Sequence, residues 1–240
     1  PILNNLQLSL KEELCMRDLT QGPVTKTLVA LAVPTAFGML FQTLYLLVDL
    51  YFVAALGDAA VAGVGAAGTL MFMVMAVIQV LGVSAVAMMS QAVGRKDKEQ
   101  ANLVFNQSML IAVGMGVLTL VLGMSFAKAY MSGIAADEAT MQEGTTFLYW
   151  FIPGMALQFG MMGMGSALRA TGIVKPGMVV QIITVLLNTI LAPILIAGWG
   201  TGTALGVMGA GLASTISVSV GVLMLIFYFL KLEKYVAFNY

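Results

Sequence analysis

Residues 40–56 read LFQTLYLLVDLYFVAAL, a stretch with one carboxylate, Asp49, set among apolar neighbours. The apolar run that contains it reaches from roughly Leu28 to Leu56. A mostly apolar run of about 18 residues or more is long enough to cross a bilayer as a helix. The hydrophobicity is continuous and does not alternate, which excludes a β-barrel strand. A carboxylate at that depth costs ~2.5–3.5 kcal/mol on insertion scales, so such residues usually mark an ion, proton or ligand pathway. Asp49 is the one acid or base inside any long apolar run of the chain.

Working outward, five more runs of the same kind follow, at roughly Ala59–Met89, Leu103–Ala127, Phe147–Leu168, Met178–Gly198 and Leu205–Leu230. The second is long enough to tilt or to project past the bilayer. The chain is 60% hydrophobic and 9% charged, against ~25% charged in soluble domains. An all-α polytopic membrane protein with six transmembrane helices is therefore expected. Residues 1–27 form a polar N-terminal segment without a signal-peptide core, 28–230 the six-helix lobe, and 231–240 a polar tail or the start of a linker. Pro1 in place of Met is the mark of a fragment, a trimmed chain or a processed end.

The loops set the orientation. Lys11, Arg17 and Lys26, then Arg95, Lys96 and Lys98, then Arg169 and Lys175, then Lys231 and Lys234 all fall on one side of six spans. The opposite loops hold Lys128 with Asp58, Asp137, Glu138 and Glu143. Positive residues stay cytoplasmic, so both termini are expected in the cytoplasm and the chain in the cytoplasmic membrane.

A net charge of zero gives no reason to expect a nucleic-acid partner. Cys15 is the sole cysteine and His is absent. No phosphate loop, catalytic triad, metal cluster or paired-carboxylate pattern is present, so neither an enzyme nor a cofactor is expected. Nineteen Met suit lipid-facing packing and adaptable surfaces.

Helical spacing puts Tyr45 and Gln42 on the face of Asp49. No basic residue lies inside the apolar runs, so the acid has no internal salt-bridge partner there. It is then a candidate for reversible protonation or for neutralisation by Na⁺ or an organic cation. Other polar groups at membrane depth are Gln79, Gln158, Asn188, Ser214, Thr215 and Ser217; each alone reads as an interhelical hydrogen bond. Pro34, with Gly38 one turn later, predicts a kink in the first helix. Pro153 and Pro193 lie in the fourth and fifth helices. Gly63, Gly65, Gly68, Gly160, Gly163, Gly165, Gly206, Gly209 and Gly211 are expected at helix contacts.

Several segments in order resemble the multidrug and toxic compound extrusion (MATE) family of antiporters. They are RDLTQGPVTKTLVALAVPTAFGMLFQTLYLLVDLYFVAALG (17–57), MSQAVGRKDKEQA (89–101), ALRATGIVKPG (167–177), NTILAPILI (188–196) and GVMGAGLASTIS (206–217). The resemblance implies a twelve-helix, two-lobe transporter of which this chain is the N-terminal six-helix lobe. It implies exchange of H⁺ or Na⁺ for cationic amphipathic drugs or metabolites. Carried over by position, the cation-coupling set is Asp49, Tyr45, Asn188 and Ser214. The substrate cavity takes Gln42, Asp49 and Gln158, the helix bend is at Pro34 and Gly38, and a candidate Na⁺ site lies at Asp49 and Asn188. Many members carry a second acid one turn after the asparagine, where this chain has Ala192. That loss favours proton coupling at Asp49, or a Na⁺ site in the other lobe. Three other readings are a flippase for lipid-linked oligosaccharides, a half-size protein working as a homodimer, and a non-transporting membrane module. A flippase would need buried basic residues, which the apolar runs lack.

Overall fold

The computed structural model describes residues 24–200 and 202–231. The side chains of Thr27, Leu31, Pro34, Thr35, Gln42, Tyr45 and Leu46 are outside that description. The expectations for residues 1–23 and 232–240, including Lys11, Cys15, Arg17 and Lys234, also lie outside it.

Six helices make up the described chain: α1 Val24–Ala54, α2 Asp58–Gly94, α3 Lys98–Ile134, α4 Glu138–Ala170, α5 Lys175–Ile196 and α6 Val207–Lys231. No strand occurs among the described residues. By length and composition, α2, α3, α5 and α6 can each cross a membrane. The protein is thus an integral membrane protein. At 37 residues each, α2 and α3 are about 55 Å long at 1.5 Å per residue, well beyond a ~30 Å hydrocarbon core.

The helices outrun the apolar runs because polar capping chemistry extends them. Asp97 accepts from the Gln100 backbone N–H at 2.9 Å to start α3, and Asp137 accepts from that of Thr140 at 2.7 Å to start α4. These bonds fill donors that a helix start leaves open. The Thr140 backbone N–H, with its hydroxyl, holds the Asp137 carboxyl below its ordinary range. At the far end of α4, the Gly172 N–H returns to Arg169 and the Ile173 N–H to Leu168. Gly172 has φ +77°, the left-handed conformation that closes a helix.

The order is up-and-down, and α4 is the hub. It packs on α2, α3 and α6, while α5 packs on α6 and α1. Being wrapped on three sides, α4 can carry polar residues along its length. Glycines set the closest crossings. A Cβ on Gly63 would stand 2.7 Å from the Gly144 backbone nitrogen. A Cβ on Gly116 would stand 2.7 Å from the Ala156 carbonyl, and one on Gly211 would stand 2.9 Å from that of Phe147. Gly163 and Gly209 are also at contacts, as expected. Gly65, Gly68 and Gly160 have open space around them; they face away from the crossings, so packing does not explain them.

Two apolar clusters occupy opposite ends. One joins Met89, Phe105, Leu168, Val180 and Phe229 at the basic end, with Phe105 and Phe229 stacked at 5.1 Å. The other joins Val53, Ala60, Leu148, Ala192, Ile196 and Val207. By contrast, α1 is exposed along most of its length, including Leu28, Phe37, Leu44 and Tyr51.

Candidate functional site

Between the two clusters, three helices bring polar side chains together. Asp49 comes from α1, Asn188 from α5 and Ser214 from α6. On α5, the buried residues Val180, Thr184, Asn188, Ala192 and Ile196 recur every fourth position and so form one face. That face meets the small residues Ala210, Ala213 and Ser214 of α6, all fully enclosed. Close approach then lets short polar side chains touch.

The Ser214 hydroxyl stands 3.3 Å from Asp49 Oδ2 and 3.2 Å from the Ala210 carbonyl, and its single proton can donate to one of them. Asn188 Nδ2 donates to the same hydroxyl at 3.4 Å. Asn188 is wholly buried and Asp49 half-buried. Two acceptor oxygens in this group, Asp49 Oδ1 and Asn188 Oδ1, are buried with no hydrogen-bond donor among the described residues. A buried polar atom without a partner costs ~1–3 kcal/mol.

The sequence-derived set divides. Asp49, Asn188 and Ser214 meet. The side chains of Tyr45, Gln42 and Pro34 are outside the described residues. Gly38 is half-buried on α1 with space around it. Gln158 is half-buried on α4 and makes no hydrogen bond to the trio among the described residues. Gln79 is exposed, Thr215 bonds the Trp150 carbonyl, and Ser217 bonds the Ala213 carbonyl. Ala192 is fully enclosed with Val53, Ile196, Val207 and Ala210, so the trio is capped by hydrocarbon toward the end where α1 finishes. No grouping of three or more His, Cys, Asp or Glu occurs among the described residues.

The structure corrects one expectation, that Arg169 lies in a loop beyond the fourth helix. Helix α4 runs to Ala170 and carries Arg169 half-buried in its last turn. Gly172 was the available signal, since a glycine closing a helix places Arg169 before the stop.

The MatE family model matches residues 34–194. The chain belongs to the MatE family. Proteins of this family are transporters, not enzymes. The chain is 24% identical over 220 residues to the multidrug export protein MepA of Staphylococcus aureus (strain MRSA252), covering 91% of this chain and 48% of that protein. It is 25% identical over 223 residues to the probable multidrug resistance protein YpnP of Bacillus subtilis (strain 168), covering 92% and 49%. Among solved structures, it matches a MOP superfamily transporter from Pyrococcus furiosus with a TM-score of 0.85 at 26% identity, covering 92% of this chain and 48% of that one. An outward-facing multidrug resistance MATE transporter matches with a TM-score of 0.84 at 26% identity, covering 91% and 48%. This MatE chain spans about half the length of the curated relatives it matches.

Proposed function

We propose that this MatE chain forms one six-span lobe of a cation-coupled exporter for cationic amphipathic compounds. A second lobe, supplied by further chain or by a second copy, completes the pathway. Residues 28–230 are the lobe, and 1–27 and 231–240 are cytoplasmic flanks. Basic residues gather at the ends of α2, α4 and α6, and acidic ones at the starts of α2 and α4. That asymmetry supports a cytoplasmic basic end.

The observation that carries the reading is the pair of buried, unfilled oxygens on Asp49 and Asn188. An ionised carboxylate is an acceptor only. A proton on Asp49 turns Oδ1 into a donor, and Na⁺ at the same place takes both oxygens as ligands. Either species removes the penalty. Na⁺ prefers more oxygen ligands than the trio offers, and the position one turn beyond Asn188 is the enclosed Ala192, which favours the proton. Cation and drug each favour a different packing of α1, so by linkage each weakens the other by the same factor. The looseness of α1, held chiefly by α5, supports it as the moving element.

The test is ethidium efflux from proteoliposomes under an imposed H⁺ or Na⁺ gradient. Asp49→Asn should abolish gradient-driven efflux. An Asp49→Asn variant that exports at the wild-type rate rules out coupling through this lobe.

A further inference from the structure

The connection between α5 and α6 is tied to α5 by its own backbone. Ala197 and Trp199 both donate a backbone N–H to the Pro193 carbonyl, at 3.2 and 3.3 Å. The Leu205 N–H reaches the Leu195 carbonyl at 2.9 Å, and the Gly206 N–H that of Ile196 at 3.2 Å. Carbonyls that a helix end leaves open are thereby filled from within the connection. Gly198 has φ +72°, and a Cβ there would stand 2.8 Å from the Ala204 nitrogen, so glycine is what lets the two limbs close on each other. Trp199 therefore stands on a post fixed to α5 and α6.

Trp199 is 65% exposed. A tryptophan at the end of a membrane helix ordinarily marks the interface with water. This one also meets α1. Its ring stands edge to face with that of Phe52, the centroids 6.4 Å apart and the planes at 88°, within the range where aromatic pairs attract. Phe52 and Val53 lie three and four residues beyond Asp49, on its face of the helix. Val53 is buried in the cluster with Ala192, Ile196, Val207 and Ala210 that caps the trio. Leu56 follows against Gly206, 3.9 Å from where a Cβ would be. Toward its start, α1 exposes Leu28, Val29 and Phe37. The enclosed contact of α1 is thus gathered into one short stretch, and that stretch covers Asp49.

We infer that Trp199 is a positioning residue, a clasp that holds the closing end of α1 over the trio. While Phe52 rests on Trp199, Val53 stays in the cap and the acid is shut off from the membrane face where α1 ends. When Phe52 leaves, Val53 leaves with it, because both belong to one helix turn, and the cap opens. The post stays behind, since its backbone bonds run to α5 and α6 and none to α1. The use of this movement in transport rests on the exporter reading; the clasp itself does not.

The experiment measures how fast a charged methanethiosulfonate reagent labels an Ala192→Cys protein, with Cys15→Ser as background, in lipid nanodiscs. Trp199→Ala should raise the rate ~2–12-fold, the worth of one aromatic pair, and Trp199→Phe far less. Phe52→Leu should act like Trp199→Ala. The two together should go no further than either alone, because a pair is broken once. A cysteine at Ala127, enclosed on α3 in the same cluster, should keep its own slow rate throughout. A Trp199→Ala protein labelled at the wild-type rate, the result for a tryptophan that only anchors the interface, overturns the inference. So do effects of Trp199→Ala and Phe52→Leu that multiply in the double variant. If Trp199→Ala speeds positions 127 and 192 together, it has loosened the whole lobe and Phe52→Leu decides; an unchanged rate at 192 there is equally fatal. Labelling needs neither gradient nor drug. A failed clasp therefore leaves the exporter reading in place, and an Asp49→Asn protein that exports at the wild-type rate leaves the clasp in place.

Discussion

Asp49→Asn should make this protein more stable, not less, in alkaline buffer without Na⁺. The substitution keeps the shape of the side chain and removes its charge. In the wild-type chain, Asp49 Oδ1 and Asn188 Oδ1 are both buried acceptors without donors among the described residues. An amide at position 49 can still accept from Ser214 with its oxygen, and its NH₂ group brings donors to the trio. Relief of one orphaned acceptor gives ~1–3 kcal/mol. In a chain of this size 1 kcal/mol moves the melting midpoint by roughly 2–4 °C, so a rise of roughly 2–12 °C is expected. The assay is thermal unfolding of the detergent-solubilised protein followed by intrinsic fluorescence. Adding a cation that occupies the site should then raise the wild-type midpoint toward that of the variant and leave the variant unmoved. An Asp49→Asn protein that melts below wild type in the ion-free buffer refutes the reasoning, because the carboxylate would then be well satisfied as it stands.

Ser214→Ala removes the donor to Asp49 Oδ2 and the acceptor for Asn188 Nδ2; urea unfolding should show a loss of about 1–3 kcal/mol. Gly144→Val should cost ~1–3 kcal/mol by overpacking the α2–α4 crossing, whereas Gly65→Ala, where a Cβ meets open space, should stay within about 0.5 kcal/mol of wild type in the same measurement. Asp137 is held below its ordinary range by Thr140, so its cap is at full strength above the unfolded carboxylate value and is lost as pH falls through the lower folded value. The protection factor against hydrogen exchange at the Thr140 amide should therefore fall as the pH drops, and Asp137→Asn should remove that dependence.

How much could be read from residues alone varied with the physics. Apolar runs are conspicuous because lipid demands them, so the four helices long and apolar enough to cross a membrane were visible, and the observed helix ends at Asp97, Asp137 and Gly172 are set by capping rather than by hydropathy. Asp49 stood out because a lone acid at depth is costly. Its meeting with Asn188 and Ser214 was not visible in spacing, since it depends on how α1, α5 and α6 cross; only the family resemblance supplied it. Gly63 and Gly65 look alike in sequence, yet one sits against a backbone and the other does not, because the rotation of α2 about its axis is set by all its partners. Arg169 was misplaced for the opposite reason. A hydropathy scan ends a span at the first charge, while the backbone continues to its closing glycine.

The pairing of α1 chiefly with α5 has a consequence for biosynthesis. About 140 residues separate Asp49 from Asn188. At ~5–20 residues per second of translation, the first helix waits roughly 7–30 seconds at the translocon before the segment that will cradle its carboxylate has been made. In the finished protein α1 packs only lightly on α2. Early assembly therefore calls for either an insertase that shelters the acid or its temporary protonation.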